Sequence, residues 1–401
     1  MGLSHPVDCK VVQNFVKNGL VAGSASMQGY RPTMEDAMTV VLGLENHPNA
    51  YFFAIYDGHG GHEAAIFAKK EIVKKINLLK VIDEKGIRQA VAETDQEFLH
   101  HTNDQRKHGS CAIISIVNRV NDRYDVICAN IGDSRIIIGS VPKNPGGKVS
   151  FNVLTEDHKP ELEREKQRII KAGGFVDSGR VDGTLAVSRA LGDWLYKCDT
   201  SLLSSEQKVI SVPEFSRGSL TSNDFLLLAC DGIFESLNNE TVASTVGRHL
   251  AETKFDDPSS TLVSLLDASL DAGSKDNMSG ILITFAKKDR YSRKKRFVQS
   301  KLGRDITQLA PVQRKQFARA YCTFAKSEGF EKDAVEYLQL LDCEKSFIPK
   351  LKGKISGNVS HSRHRKRRPY DFLKMGIAVF IVFVAITLSL SVARNFEFMS
   401  I

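Results

Sequence analysis

Residues 54–65, AIYDGHGGHEAA, set one carboxylate (Asp57) and two imidazoles (His59 and His62) around three glycines, directly after an apolar run. Three further carboxylates have similar neighbours: Asp133 follows ANIG, Asp231 follows FLLLAC, and Asp276 precedes NMSGILITF. All four sit at the end of a stretch that reads as a buried strand. Strand ends of one sandwich can converge on one rim, and converging carboxylates repel unless cations lie between them. The competing reading is local: Asp-Gly after a strand is a common turn signal, because Asp bonds its own backbone and Gly accepts positive φ. Asp182-Gly183 reads as such a plain turn. His59 and His62 taken alone fit surface or cap positions. The chain has no H-x-x-x-H or C-x-x-C pair, so the pattern does not point to zinc. An all-carboxylate set completed by water suits the hard ions Mg2+ or Mn2+.

The elements that carry these residues follow from hydropathy. Short β-rich runs occur at 50–57, 111–118, 124–140, 224–232 and 280–286, and helical patterns at 63–80, 86–102, 161–174 and 258–273. Strands come in runs rather than in strict alternation with helices, which predicts an α+β fold of antiparallel sheets with helices packed outside. With 401 residues, 42% hydrophobic and 25% charged, the chain can build one large globular domain plus accessory segments. Seven cysteines without paired spacing, and no apolar signal at the start, predict a reducing setting with the cysteines mostly buried as small apolar groups.

Taken in order, these residues and their neighbours resemble the metal-dependent Ser/Thr protein phosphatases of type 2C. The resemblance runs through RPTMEDA (31–37), YDGHGGHEAA (56–65), GSCAI (109–113), ANIGDSR (129–135), LTEDHKP (154–160), RIIKAGGFV (168–176), RVDGTLAVSRALGDW (180–194), LLLACDGIFE (226–235) and DNMSG (276–280). Any one of these motifs is weak, but nine in the expected order are specific. The fold implied is a β-sandwich of two antiparallel sheets flanked by helices, with the metals at one end. Residue by residue, the resemblance implies that Asp57 bridges two Mg2+ or Mn2+ ions and that the carbonyl of Gly58 ligates one of them. Asp231 and Asp276 would complete the ligand set, while Glu35 and Asp36 hold metal-bound waters. Asp133 matches a residue that helps to bind a weaker third ion, Arg31 the arginine that receives the substrate phosphate, and His59 the general acid.

The activity implied is hydrolysis of phosphoserine and phosphothreonine by direct attack of a metal-bridging hydroxide, with no phospho-enzyme. That chemistry asks for these residue types. Two ions ~3.5–4 Å apart lower the pKa of a shared water and clamp the phosphoryl oxygens. Arginine supplies a planar fork of donors to phosphate, and a serine or threonine alkoxide leaves poorly without a proton donor. Two departures from the family pattern stand out. Cys111 replaces the usual threonine of GSTA and is read as buried packing; Glu235 stands where DG-x-x-D is common and reaches further. Residues 199–208 lie where the family has a variable flap beside the active site.

Charge divides the chain. Residues 1–286 carry 30 Lys+Arg and 37 Asp+Glu (−7), and residues 287–401 carry 25 and 10 (+15). The acidic first part gives no reason to expect nucleic acid as a partner. The expected organisation is a catalytic domain over 1–290, a helical extension over 291–349 and a basic linker over 350–371. A transmembrane helix over 372–393 and a short tail over 394–401 complete it. In the extension, Leu309, Val312, Phe317, Tyr321 and Phe324 are candidates for the apolar face. The run MGIAVFIVFVAITLSLSVA (375–393) holds 19 residues without a charge, long enough at ~1.5 Å per residue to cross a bilayer. RHRKRR (363–368) precedes it, so positive-inside logic leaves the catalytic domain in the cytosol in a tail-anchored arrangement. The endoplasmic reticulum is preferred to the mitochondrial outer membrane. Expected partners are phosphoprotein substrates and the membrane, with the protein itself a monomer.

Overall fold

The computed structural model describes residues 2–101, 107–120, 123–141, 147–253, 255, 257–285, 294–299 and 306–340. Strands β1 (Val7–Lys17), β2 (Leu20–Gly29), β3 (Ala37–Val41), β4 (Ala50–His59), β5 (Gly109–Val120), β6 (Arg123–Ile131), β7 (Arg135–Ser140) and β8 (Ser150–Val153) come first. Short pieces β9 (Val176–Asp177), β10 (Arg180–Val181) and β11 (Leu191–Gly192) lead to β12 (Glu214–Leu220), β13 (Asp224–Ala229), β14 (Met278–Phe285) and β15 (Arg296–Val298). The helices are α1 (Glu63–Leu78), α2 (Glu84–His101), α3 (Glu163–Lys171), α4 (Asp231–Phe234), α5 (Asn239–Glu252), α6 (Pro258–Asp271), α7 (Pro311–Ser327) and α8 (Glu331–Leu340).

Two large sheets form, β15-β1-β2-β14-β13-β7-β8 and β12-β6-β5-β4-β3 with β11 paired to β5, beside a small β10-β9 pair, and their strand pairs are antiparallel. Side chains alternate along a strand, and both faces of β4 are buried. Tyr51, Phe53 and Ile55 meet Leu226, Leu228 and Ile281 between the sheets. Phe52, Ala54 and Tyr56 meet Ala68, Ile72 and Val91 of α1 and α2. That is why AYFFAIY (50–56) runs without a charged residue. On the other side α5 and α6 cover Leu227, Ala229 and Leu282. The expected sandwich flanked by helices is present, with helix limits within a few residues of those read from the periodicity.

Several elements differ from the sequence reading. The run 124–140 is two strands in different sheets: the chain leaves β6 at Ile131, turns through Gly132–Ser134 and enters β7 at Arg135. Asp231 does not end a strand but opens the helical turn α4. β1 and β2 were not legible, because KVVQNFVK is interrupted by polar residues and VAGSASMQG is poor in strand formers. Small side chains in β2 are what let α6 lie close against it.

In the extension, Phe317, Tyr321 and Phe324 of α7 are buried against Val7, Cys9 and Val11 of β1, as expected of an apolar face, and Leu309 packs at the edge. Val312 does not belong to that face; it is 69% exposed. Among the described residues no helix is long and apolar enough to cross a membrane. The basic linker, the apolar run 375–393 and the tail after it lie outside the described residues.

Candidate active site

Antiparallel pairing brings several chain ends to one rim of the sandwich. Met27 pairs with Met278, Ala37 with Tyr56, Ala112 with Ile131, and Arg135 with Ala229. The ends of β2, β4, β6 and β13 and the starts of β3, β5, β7 and β14 therefore lie together. Arg31, Glu35, Asp36, Asp57, Gly58, His59, Asp133, Asp231 and Asp276 all lie at or beside these ends, so the fold brings these nine residues to one rim. Gly58 is required by a close approach: a Cβ there would meet the Glu35 carbonyl oxygen at 2.4 Å.

Oxygen atoms of Asp57, Asp133 and Asp231 lie within 4.8 Å of one another, and so do those of Asp231, Glu235 and Asp276. Asp231 is common to both groups, where the resemblance implies Asp57 as the shared ligand. Glu235, a departure from the family pattern, reaches into the second group. Burial pushes the Asp57 carboxyl well above its ordinary range, and the Asp231, Asp36, Asp133 and Asp276 carboxylates push it further. Asp231 is raised in the same way, by burial and then by Asp133, Asp276 and Glu235. Asp36 rises to about 7, chiefly through burial, and its Oδ2 is buried with no hydrogen-bond partner.

Among the described residues, two protein cations pair directly with this cluster. Arg31, half exposed at the mouth, pairs with Asp276, and Lys159 Nζ lies 2.5 Å from Asp133 Oδ2. Mutually repelling carboxylates, with a buried oxygen left unpartnered, fit hard divalent cations better than any other occupant. Cys111 does more than fill space, because its Sγ donates to Asp133 Oδ1 at 3.4 Å. Burial and the neighbouring Asp133 hold that thiol well above its usual pKa, so it stays protonated.

The loop carrying Arg31 and Glu35 is held by Asn277, to which the sequence reading gave no role. Its Nδ2 donates to the carbonyls of Gln28 (2.7 Å) and Thr33 (3.0 Å), and its Oδ1 accepts from Glu35 N (2.8 Å). Glu35 Oε2 accepts from Gly61 N at 3.3 Å. His59 Nε2 is 2.7 Å from Asp193 Oδ2. Burial lowers the His59 pKa, but the Asp193 carboxylate outweighs it and the net shift is upward. Lys159 and Asp193 lie in motifs already quoted, DHKP and ALGDW; what the sequence could not give is the partner each one meets.

Beside the rim, the region from Glu156 to Pro213 is built around Glu165, which is 1% exposed. Arg189 Nη2 and Arg168 Nη1 each reach it at 2.5 Å, and Ser188 Oγ donates at 2.9 Å. Burial alone would raise this carboxyl; Arg189 and Arg168 instead bring it down to about 2. His158 has no exposed side-chain surface, bonds Gly132 N and Glu214, and is pushed down to about 4 by burial and by Arg189. Residues 199–208 form turns next to Glu165's partners, with Leu203 exposed.

Comparison with known proteins agrees with this geometry. The family described as Protein phosphatase 2C matches residues 21–278. A probable protein phosphatase 2C of Caenorhabditis elegans is 36% identical over 293 residues, covering 70% of this chain and 79% of that protein. Human Protein phosphatase 1A is 36% identical over 293 residues, 69% of this chain and 73% of the relative. A crystal structure of a phosphatase from a pathogenic strain of Toxoplasma gondii matches with a TM-score of 0.64 at 27% identity, over 73% of this chain and 100% of that one. The chain belongs to the protein phosphatase 2C family and is by class a metal-dependent protein serine/threonine phosphatase.

Proposed function

We propose that this chain hydrolyses phosphoserine and phosphothreonine in proteins, with Mg2+ or Mn2+ held at the carboxylate rim. The observation that carries this is the two carboxylate groups sharing Asp231, whose raised pKa values mark negative charge without enough protein cations to balance it. Asp57, Asp231, Asp276 and the Gly58 carbonyl are the direct ligands, Glu35 and Asp36 act through water, and Asp133 serves a weaker third ion. Two such ions, when bound, supply an activated water and neutralise the phosphoryl charge. Arg31 sits at the mouth, where its planar donors can take the phosphate. His59 gives a proton to the departing serine or threonine oxygen.

Assays on a phosphothreonine peptide test this: activity disappears in chelator and returns with Mn2+ or Mg2+. Full activity in chelator would overturn the reading.

The uncharged run 375–393, preceded by RHRKRR, supports a single membrane span with the catalytic domain on the cytosolic side, and we place it in the endoplasmic reticulum. The basic segment then meets anionic headgroups. Carbonate extraction and imaging of the full chain and of a 1–370 truncation check it. A soluble full chain, or a truncation that stays on membranes, would rule the anchor out.

A further inference from the structure

Asp193 is held in a conformation that few residues adopt. Its φ of 55° and ψ of 48° are left-handed, a region that L-residues other than Gly enter at a cost and that Asp and Asn tolerate best. Such a residue persists where its surroundings fix it, and here they do. Gly192 N donates to Asp95 Oδ1 at 2.6 Å, and Lys197 Nζ donates to Asp95 Oδ2 at 2.7 Å and to the Ala190 carbonyl at 2.8 Å. Asp95 and Lys197 are a buried pair, 7% and 5% exposed. Both ends of the turn that carries Asp193 are thus tied to α2. Asp193 N donates to the His108 carbonyl at 2.9 Å, and β11 pairs with β5 through Leu191↔Ser110 and Gly192↔Gly109.

Gly109 also faces His59 across β4 and β5. A Cβ on Gly109 would fall 2.2 Å from both Asp193 Oδ2 and His59 Nε2. The absence of a side chain there is what leaves room for the 2.7 Å contact between them. Asp193 is 2% exposed, while the His59 ring is 28% exposed. His59 Nδ1 has no hydrogen bond among the described residues. One ring nitrogen is therefore locked to a buried carboxylate, and the other carries no hydrogen bond among the described residues, on a ring that is partly exposed.

We infer that Asp193 is the positioning residue for His59: it binds Nε2–H, so that the ring is oriented to deliver its proton from Nδ1. The inference rests on His59 being the proton donor. When the phosphorus–oxygen bond to the substrate breaks, its electron pair goes to the serine or threonine oxygen, which takes the Nδ1 proton. His59 is left neutral with its remaining proton on Nε2, still bonded to Asp193. A carboxylate behind an imidazole fixes the tautomer and orientation in the same way in other enzymes.

The test uses full-length wild type, Asp193→Asn, His59→Ala and the double variant, on a phosphothreonine peptide and on p-nitrophenyl phosphate, whose leaving group needs no proton. Asn keeps the size of the side chain and tolerates the left-handed backbone. Calorimetric titration with Mn2+ checks that each variant keeps its metal affinity. Asp193→Asn is expected to lower kcat on the peptide by about 10- to 100-fold, with several-fold less loss on the aryl ester and KM unchanged. In the double variant it adds nothing to His59→Ala.

Equal losses on the two substrates, additive losses in the double variant, or weakened Mn2+ binding by Asp193→Asn would each overturn the inference while leaving His59 as donor. Equal losses from His59→Ala would remove the donor itself and the inference with it. A measurement independent of the variants is the ring nitrogen spectrum of 15N-labelled wild type: the neutral tautomer must carry its proton on Nε2, and a proton on Nδ1 would overturn the assignment.

Discussion

Asp57 and Glu165 are both carboxylates drawn into the protein, and their surroundings drive them in opposite directions. Asp57 stands among Asp36, Asp133, Asp231 and Asp276, and its carboxyl is pushed well up. Glu165 is gripped by Arg168 and Arg189 and stays ionised down to about pH 2. The first environment is incomplete without cations from outside; the second supplies its own. Catalytic capacity lies where the protein leaves charge unbalanced, and mechanical integrity of the neighbouring region where it does not.

The sharpest way to break this contrast is Asp231→Asn. It should cut turnover by at least about 10³-fold, several kcal/mol of charge stabilisation at the reacting centre. It should also stabilise the metal-free protein at pH 8, because a repelling charge is gone; each pKa unit relieved is worth about 1.4 kcal/mol. Turnover assays and thermal melts in chelator check the two halves, and a variant that melts lower than wild type without metal would show that the rim carboxylates do not repel. Glu165→Gln is the opposite case. Leaving Arg168 and Arg189 unpaired should cost about 3–5 kcal/mol of stability, with Mn2+ affinity at the rim unchanged in calorimetry.

Acid separates the regions further. His158 has a folded pKa of about 4, below its ordinary 6.5, so its stabilisation is complete above pH 6.5 and is lost as pH falls toward 4. Glu165, at about 2 against 4.5, adds a loss between pH 4.5 and 2. The rim has the reverse sign, since Asp57 and Asp231 bind protons more readily folded than unfolded and are relieved by acid. Because the two regions oppose each other, the His158 contribution is read as a difference: between pH 7 and pH 4 the wild type should lose on the order of 2 kcal/mol of stability relative to His158→Gln in melts of the two proteins. The smallest effect belongs to Lys208→Ala. Its pair with Asp182 is partly exposed, and losing it should cost less than about 1 kcal/mol in a denaturant titration.

The carboxylates were readable because apolar strands with a charge at one end are a strong local signal, and antiparallel pairing then made their convergence follow. β1 and β2 were not, since their burial depends on helices packed from elsewhere. Asp193, Lys159 and Asn277 share another reason. Their motifs were visible, but a role that consists of reaching His59, Asp133 or the Glu35 loop exists only once distant segments meet. Val312 failed for a simple geometric reason: it lies at the first turn of α7, off the stripe formed by Phe317, Tyr321 and Phe324.

The cover that α7 lays over β1 bears on where this chain can be cut. Val7, Cys9 and Val11 have Phe317, Tyr321 and Phe324 as their neighbours, so a fragment ending near residue 290 would present a greasy strand to water beside β2. It would keep every residue of the rim and still be prone to self-association. The smallest well-behaved piece therefore ends beyond α8, although the chemistry is complete some sixty residues earlier.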